Sequence, residues 1–461
     1  MTDSMDNRAL RQAASYADQW LQYRREYRDH PGLVAAIQKD GELLLNAAYG
    51  FANLEQQVAM QTSHLFRIAS HSKTFTATAI MQLVEQNRLR LDDRLQQHLP
   101  WLSAEATVRQ TLNHASGITR DSADADFWDI QLDFPDRDQL RAMATQGKIF
   151  EPNTSFKYSN IGYGLLGLVV EAVSGATYND YVREHIVKRL GLQNTGPEVS
   201  EAPSDRLVTG YTRSRLGVPR RALPLAIDTH ALSPATGFYS TAEDLCRYAA
   251  AHCMGDTRLL NDASKREMQQ PYWSVEHADE HYGLGFSVRE IGKRHLVGHG
   301  GGFPGQSTRT LIDAQDHHLV VVVLSNTNAS DGLAGPLAES VVKIIDFAQS
   351  KSSADSAADL RAYTGRFANA WGVLDVVQFG DTLIATSPEA DNPVERISEL
   401  EVVDASSLRI RKTGGYGSQG ELVRYERDAD GSVNRMVWGG MSSYPVEVFQ
   451  ARNTEPVVAH A

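Results

Sequence analysis

The chain has 461 residues, 42% of them hydrophobic, and its 45 Lys and Arg against 57 Asp and Glu leave a net charge of −12. That is ample apolar material for packed cores and too long for one ordinary domain, which excludes a disordered protein and makes two domains the expectation. No basic run stands out, and no apolar stretch reaches the length of a membrane span or of a signal-peptide core, so nucleic acid and membrane drop out as expected partners.

Residues 8–27 carry Leu10, Ala13, Ala14, Ala17 and Leu21 at helical spacing. Residues 32–50 (GLVAAIQKDGELLLNAAYG) read as a hairpin turning at Asp40-Gly41. In 70–86 (SHSKTFTATAIMQLVEQ), Ala77, Ile80, Met81 and Val84 mark a helix, with Ser70 opening it and Lys73 one turn on, within reach of the hydroxyl. A free serine is a poor nucleophile, but a lysine made neutral by an apolar site can act as its base. The bland alternative is a capping serine with a surface lysine. Ser340-Val341-Val342-Lys343 repeats the spacing with no partners behind it.

Residues 121–138 hold seven aspartates around Phe127, Trp128 and Phe134. They read either as a solvated loop over packed aromatics or as an acidic, aromatic subsite for a substrate amine, with Phe127 and Trp128 as substrate contacts. In EPNTSFKYSNIGYGLLG (151–167), Tyr158 and Asn160 point the same way from extended backbone. A phenol can relay a proton and an amide can hold a carbonyl, although packing plus an N-cap would also explain the pair. Cys246 and Cys253, the only cysteines, read as seven apart on one helix. That separation is about 10 Å, too far for a disulfide, and it suits a reducing cytoplasm.

From Arg294 the sequence RHLVGHGGGFPGQSTRTLIDAQDHHLVVVVLSN reads as two or three strands. Gly300, Gly301 and Gly302 would let another backbone approach, and a merely satisfied His299 leaves those glycines unexplained. A closing helix is expected over 331–347. The small polar stretch 350–359 reads as a linker, and residues 360–461 as short alternating strands of a meander or barrel. The glycine-rich 412–421 segment is its expected projecting loop. Such a barrel either holds a ligand or is a packed assembly module, and the second reading is preferred.

In this order Ser-x-x-Lys, Tyr-x-Asn and His-Gly-Gly, with LNHASGIT at 112–119 and TGFYSTAEDL at 236–245, resemble the serine β-lactamase and penicillin-binding-protein superfamily. They are similar to its class C branch, which includes D-aminopeptidases, D,D-carboxypeptidases and esterases. The C-terminal segment resembles lipocalin-like domains attached to such peptidases. The resemblance implies an α/β (α+β) fold, a mixed sheet flanked by helices with a helical lobe, over 1–349, then the linker and an all-β barrel over 360–461. It implies Ser70 as acylated nucleophile, Lys73 as base or relay, Tyr158 as second proton-transfer group and His299 in the position of a family lysine. The backbone N–H groups of Ser70 and Gly302 would form the oxyanion hole, with Asn160, Gly300 and Gly301 binding substrate. No metal or cofactor is called for. Histidine in place of lysine, largely neutral at pH 7, leans away from carboxylate-anchored substrates.

The expected activity is cleavage of amide or ester bonds through a Ser70 acyl-enzyme, on small peptides that include D-residues. A broad carboxylesterase, an acyltransferase and a non-catalytic sensor on the same fold are the alternatives. The β-domain leaves room for homo-oligomers.

Overall fold

The structure is a computed structural model, and it describes residues 2–146, 148–224, 226–315, 318–327, 334–351 and 359–453. It divides into two compact units, Asp29–Glu339, and Met1–Arg28 with Ser340–Ala461.

The first unit is built on a nine-stranded antiparallel sheet. Its order is Val58–Ala59, Glu42–Asn53, Gly32–Lys39, Leu319–Ser325, Gln306–Asp313, Arg294–Phe303, Ser287–Ile291, Glu280–Tyr282 and Trp273–Val275. The expected hairpin forms, and its turn runs through Asp40 (φ 49°) and Gly41 (φ 85°), the left-handed pair that a tight two-residue turn demands. Leu319–Ser325 lies inside the sheet and is buried throughout, which is why it reads LVVVVLS instead of alternating. Ser287–Ile291 pairs with the glycine strand only as far as Gly298. Residues 299–303 therefore pair with Gln306–Asp313 on one side and, among the described residues, with no strand on the other.

Between the outer strands the chain forms the helical lobe. Helix Ser72–Glu85 is buried from Ser72 through Leu83, so its polar Ser72, Thr74, Thr76 and Thr78 are satisfied by backbone carbonyls. Helix Asn160–Ser174 is capped by the Ser159 hydroxyl, which accepts from the Gly162 N–H at 2.9 Å. Cys246 lies in helix Ala242–Ala250, but Cys253 falls in the turn beyond it, and both thiols are buried and free.

In the second unit eight antiparallel strands, Gly365–Asn369 to Met441–Pro445, close into a barrel through the pair Phe367↔Pro445. Its interior is filled by Phe367, Val376, Leu383, Leu408, Ile410, Val423, Tyr425 and Met436, the packed form of a small barrel. Tyr416, in the glycine-rich 412–421 segment, is fully exposed. The sequence reading placed residues 1–349 in one domain, whereas packing draws both ends of that span to the barrel. Helix Thr2–Tyr27 lays Tyr16 edge-on to Phe379 at 5.8 Å, and Gln12 Oε1 accepts from the Gly380 N–H at 2.8 Å. Helix Ala334–Ser350 brings Phe347 to the same ring at 5.6 Å. Residues 331–333 of the expected closing helix, and 352–358 of the expected linker, lie outside the described residues. Among the described residues no single helix is long and apolar enough to cross a membrane.

Candidate active site

Ser70 does not open the long helix as the sequence suggested. It sits in a tight turn, Ala69–His71, immediately before helix Ser72–Glu85. Ala69 has φ 46°, a left-handed conformation that costs an alanine roughly 1–2 kcal/mol and has to be held by its surroundings. His71 supplies part of that hold: Nδ1 lies 3.0 Å from the Ile68 carbonyl and Nε2 2.9 Å from Thr310 Oγ1. Burial pushes the His71 pKa down to about 3, so the ring stays neutral.

The half-buried Ser70 hydroxyl has two neighbours. Lys73 Nζ stands 3.2 Å from it, and the Tyr158 hydroxyl donates to it at 2.9 Å. Lys73 is fully buried, and burial holds its pKa well below the usual lysine value, with Asp121 partly opposing and Arg120 adding to the shift. The other two neighbours of Nζ can only accept: Asn160 Oδ1 at 2.7 Å and the Ala235 carbonyl at 2.9 Å. In its neutral form the amine would give its two N–H bonds to these acceptors and keep its lone pair for Ser70; in its charged form the third N–H donates to the Ser70 hydroxyl. Burial pushes the Tyr158 pKa up, so the phenol keeps its proton.

Three supporting groups were not assigned roles from the sequence. Asp121 Oδ1 accepts from Asn160 Nδ2 at 2.7 Å, which turns the amide oxygen toward Lys73. It had been counted only as one of seven loop aspartates. His114, within LNHASGIT, accepts the Ser159 N–H on Nδ1 at 3.1 Å and packs its ring 4.2 Å from that of Tyr158. Tyr282, from a distant strand, lies 2.9 Å from His299 Nε2.

That contact decides the state of His299. Its Nδ1 lies 2.5 Å from the Gly300 carbonyl, which only accepts, so Nδ1 carries the proton and Nε2 accepts from the Tyr282 phenol. Burial holds its pKa well below the ordinary histidine value. His299 is a neutral ring with both nitrogens occupied. Its strand presses on the nucleophile's turn, where a Cβ on Gly301 would fall 2.1 Å from the Ile68 carbonyl oxygen. Glycine is required there by space.

A cleft of about 730 Å³ is lined by Gly300, Gly301 and Gly302 of this strand and by Trp128, Asp129 and Arg221. Trp128 lines this cleft, whereas Phe127 is 2% exposed and packs on Phe134 at 5.0 Å, a core residue and not the substrate contact expected. Of the remaining six aspartates, Asp136 caps helix Arg137–Thr145, Asp138 pairs with Arg141 and Asp129 lines the cleft.

A family pattern described as Beta-lactamase matches residues 17–343. The chain belongs to the beta-lactamase family. Penicillin-binding protein 4* of Bacillus subtilis (strain 168) is 29% identical over 311 residues, 64% of this chain and 68% of that protein. The octameric penicillin-binding protein homologue from Pyrococcus abyssi superposes with a TM-score of 0.65 at 22% identity, covering 93% of this chain and 99% of its own. A D-stereospecific amidohydrolase from Streptomyces sp. superposes at 0.59 with 26% identity, over 68% of this chain and 94% of its own. Family and neighbours are serine hydrolases, and the C-terminal barrel fits the lipocalin-like domain.

Proposed function

We propose that the protein hydrolyses small amides through a Ser70 acyl-enzyme, acting as a peptidase or aminopeptidase whose substrates include D-residues. The observation that carries this is the placement of one hydroxyl against a buried amine and a protonated phenol, at 3.2 and 2.9 Å. Lys73 takes the Ser70 proton as Oγ attacks the carbonyl carbon, and Asn160 keeps the amine aimed. The negative charge that develops on the carbonyl oxygen is met by the backbone N–H groups of Ser70 and Gly302. Tyr158 gives its proton to the departing nitrogen, and the proton held by Lys73 returns to the phenolate. Water then hydrolyses the ester by the same transfers in reverse. A neutral His299 offers no cation to a substrate carboxylate beside the nucleophile, which supports amide substrates over carboxylate-anchored ones. The likeness to an amidohydrolase supports the same choice.

A fluorophosphonate probe should label the Ser70 peptide, and Ser70→Ala should abolish both labelling and turnover of aminoacyl nitroanilides. Lys73→Ala and Tyr158→Phe should each lose nearly as much kcat/KM as the double variant, because the two act with Ser70 as one proton-transfer unit. Full labelling in Ser70→Ala, or strictly multiplicative losses, would refute the assignment.

A further inference from the structure

Gly302 has no side chain to fix it, and a Cβ there would meet nothing within 4 Å. The direction of its N–H is therefore set by the residues on either side, Gly301 and Phe303. Phe303 pairs with Gln306 across the two-residue turn Pro304-Gly305. In an antiparallel hairpin that closing pair exchanges the ladder hydrogen bonds, so the N–H of Gly302, one residue earlier, points to the side with no paired strand among the described residues. Whether it can share an oxyanion with the Ser70 N–H depends on what ties the end of this strand to the nucleophile's turn.

Arg67 makes that tie. It ends the short strand Phe66–Arg67, three residues before Ser70. Its backbone N–H donates to Gln306 Oε1 at 2.7 Å, and its Cζ lies 4.2 Å from the centre of the Phe303 ring, so it touches both residues of the closing pair. The ring is 3% exposed, with Phe134 stacked on it at 5.9 Å and Trp128 edge-on at 6.0 Å. Arg67 is fully buried; burial lowers its pKa to about 10, against Glu198 and Asp228, which leaves it charged at neutral pH. A cation held over a ring away from water is a stronger contact than the same pair at the surface. His71 fastens the same two segments at Thr308 and Thr310, opposite Gly301 and His299. Arg67 fastens the end beyond Gly302.

We propose that Arg67, stacked on Phe303 and bonded to Gln306, is the positioning residue that holds the Gly302 N–H beside that of Ser70, so that the two form one oxyanion hole. This rests on the Ser70 acyl-enzyme reading above and adds the residue that sets the spacing of its hole. Arg67 acts through Phe303 and touches no reacting atom.

The test uses the full chain, with active sites counted by fluorophosphonate titration, and compares inhibition by benzeneboronic acid with turnover of an aminoacyl nitroanilide. Ser70 Oγ adds to boron as its proton leaves, and the tetrahedral adduct puts one boronate oxygen in the hole. Phe303→Leu and Arg67→Met should each raise the boronate Ki and lower kcat about ten- to a hundredfold, a part of what losing a whole oxyanion donor costs. KM should stay within about twofold, because the hole is used in the transition state. Arg67→Lys, which keeps a cation at the ring, should recover part of the loss, and the double variant should be little worse than either single one. Thermal melting identifies the folded variants, and if Arg67→Met does not fold, Phe303→Leu supplies the comparison. Parent values of Ki and kcat in folded Phe303→Leu overturn the proposal, as do losses confined to KM or multiplied in the double variant. Failure of the fluorophosphonate to label Ser70 in the parent would instead defeat the hydrolase reading.

Discussion

Replacing Asp121 separates two effects that the structure joins in one carboxylate. Asp121 orients the Asn160 amide, and its charge favours the protonated form of Lys73. In Asp121→Ala the Asn160 Nδ2 loses its partner in a buried setting, and the amide is no longer forced to turn its oxygen toward Lys73. A hydrogen bond to a charged group contributes about 1.5–3 kcal/mol, so the plateau of kcat/KM should fall about ten- to a hundredfold. Asp121→Asn keeps an oxygen for Asn160 Nδ2 and removes only the charge. With that charge gone, the Lys73 pKa falls further. Since Lys73 works as a neutral base, activity is lost as pH drops through its pKa, and a lower pKa moves that acid limb to lower pH. The assay is the pH dependence of kcat/KM on a chromogenic amide, with thermal melting to confirm folding. An acid limb displaced to higher pH in Asp121→Asn would refute the argument, as would a wild-type plateau in folded Asp121→Ala.

Gly301→Ala should cost stability, about 1–3 kcal/mol for a side chain forced into filled space, as well as activity, because its Cβ would lie 2.1 Å from the Ile68 oxygen and 2.4 Å from Thr308 Oγ1. Gly302→Ala has nothing within 4 Å of its new Cβ and should melt like the parent. Differential scanning fluorimetry of the two variants compares them directly. Acid should destabilise the fold early: His71, His114 and His299 are held neutral by burial, while the unfolded chain protonates them near pH 6.5. The unfolded state then binds more protons, so stability is full above that pH and is lost as pH falls below it, by up to about 1.4 kcal/mol per pH unit for each ring. Urea midpoints between pH 7 and pH 5 should show this, with a shallower slope in His71→Asn.

Ser70, Lys73, Tyr158 and Asn160 were legible because each pair lies within one turn or two residues, where local geometry fixes the reach. The hairpin at Asp40-Gly41 and the buried strand Leu319–Ser325 were legible for the same reason. Contacts across long stretches of chain were not. Nothing near Asp121 distinguishes it from its six neighbouring aspartates, since its role depends on the start of a helix 39 residues away. The state of His299 depends on a tyrosine 17 residues earlier, brought near by strand pairing. Phe127 and Trp128 are adjacent in sequence with opposite fates, one in the core and one at the cleft, because a helical turn points successive side chains in different directions. The first helix showed its apolar stripe plainly, but periodicity names a face and not the surface that covers it.

The pairing of that helix with the barrel also bears on biosynthesis. Tyr23 meets Glu389, a partner 366 residues later in the chain. At roughly 5–20 residues per second, roughly 20–70 s pass between emergence of the helix from the ribosome and arrival of the turn it contacts. Through that interval Tyr16, which packs on Phe379, lacks that native contact, although in the folded chain it is buried. The Asp29–Glu339 unit is synthesised whole inside this wait, so it has the opportunity to fold first while the earliest helix remains a client for chaperones. The helix can dock on its barrel partner only after the whole Asp29–Glu339 unit has been made.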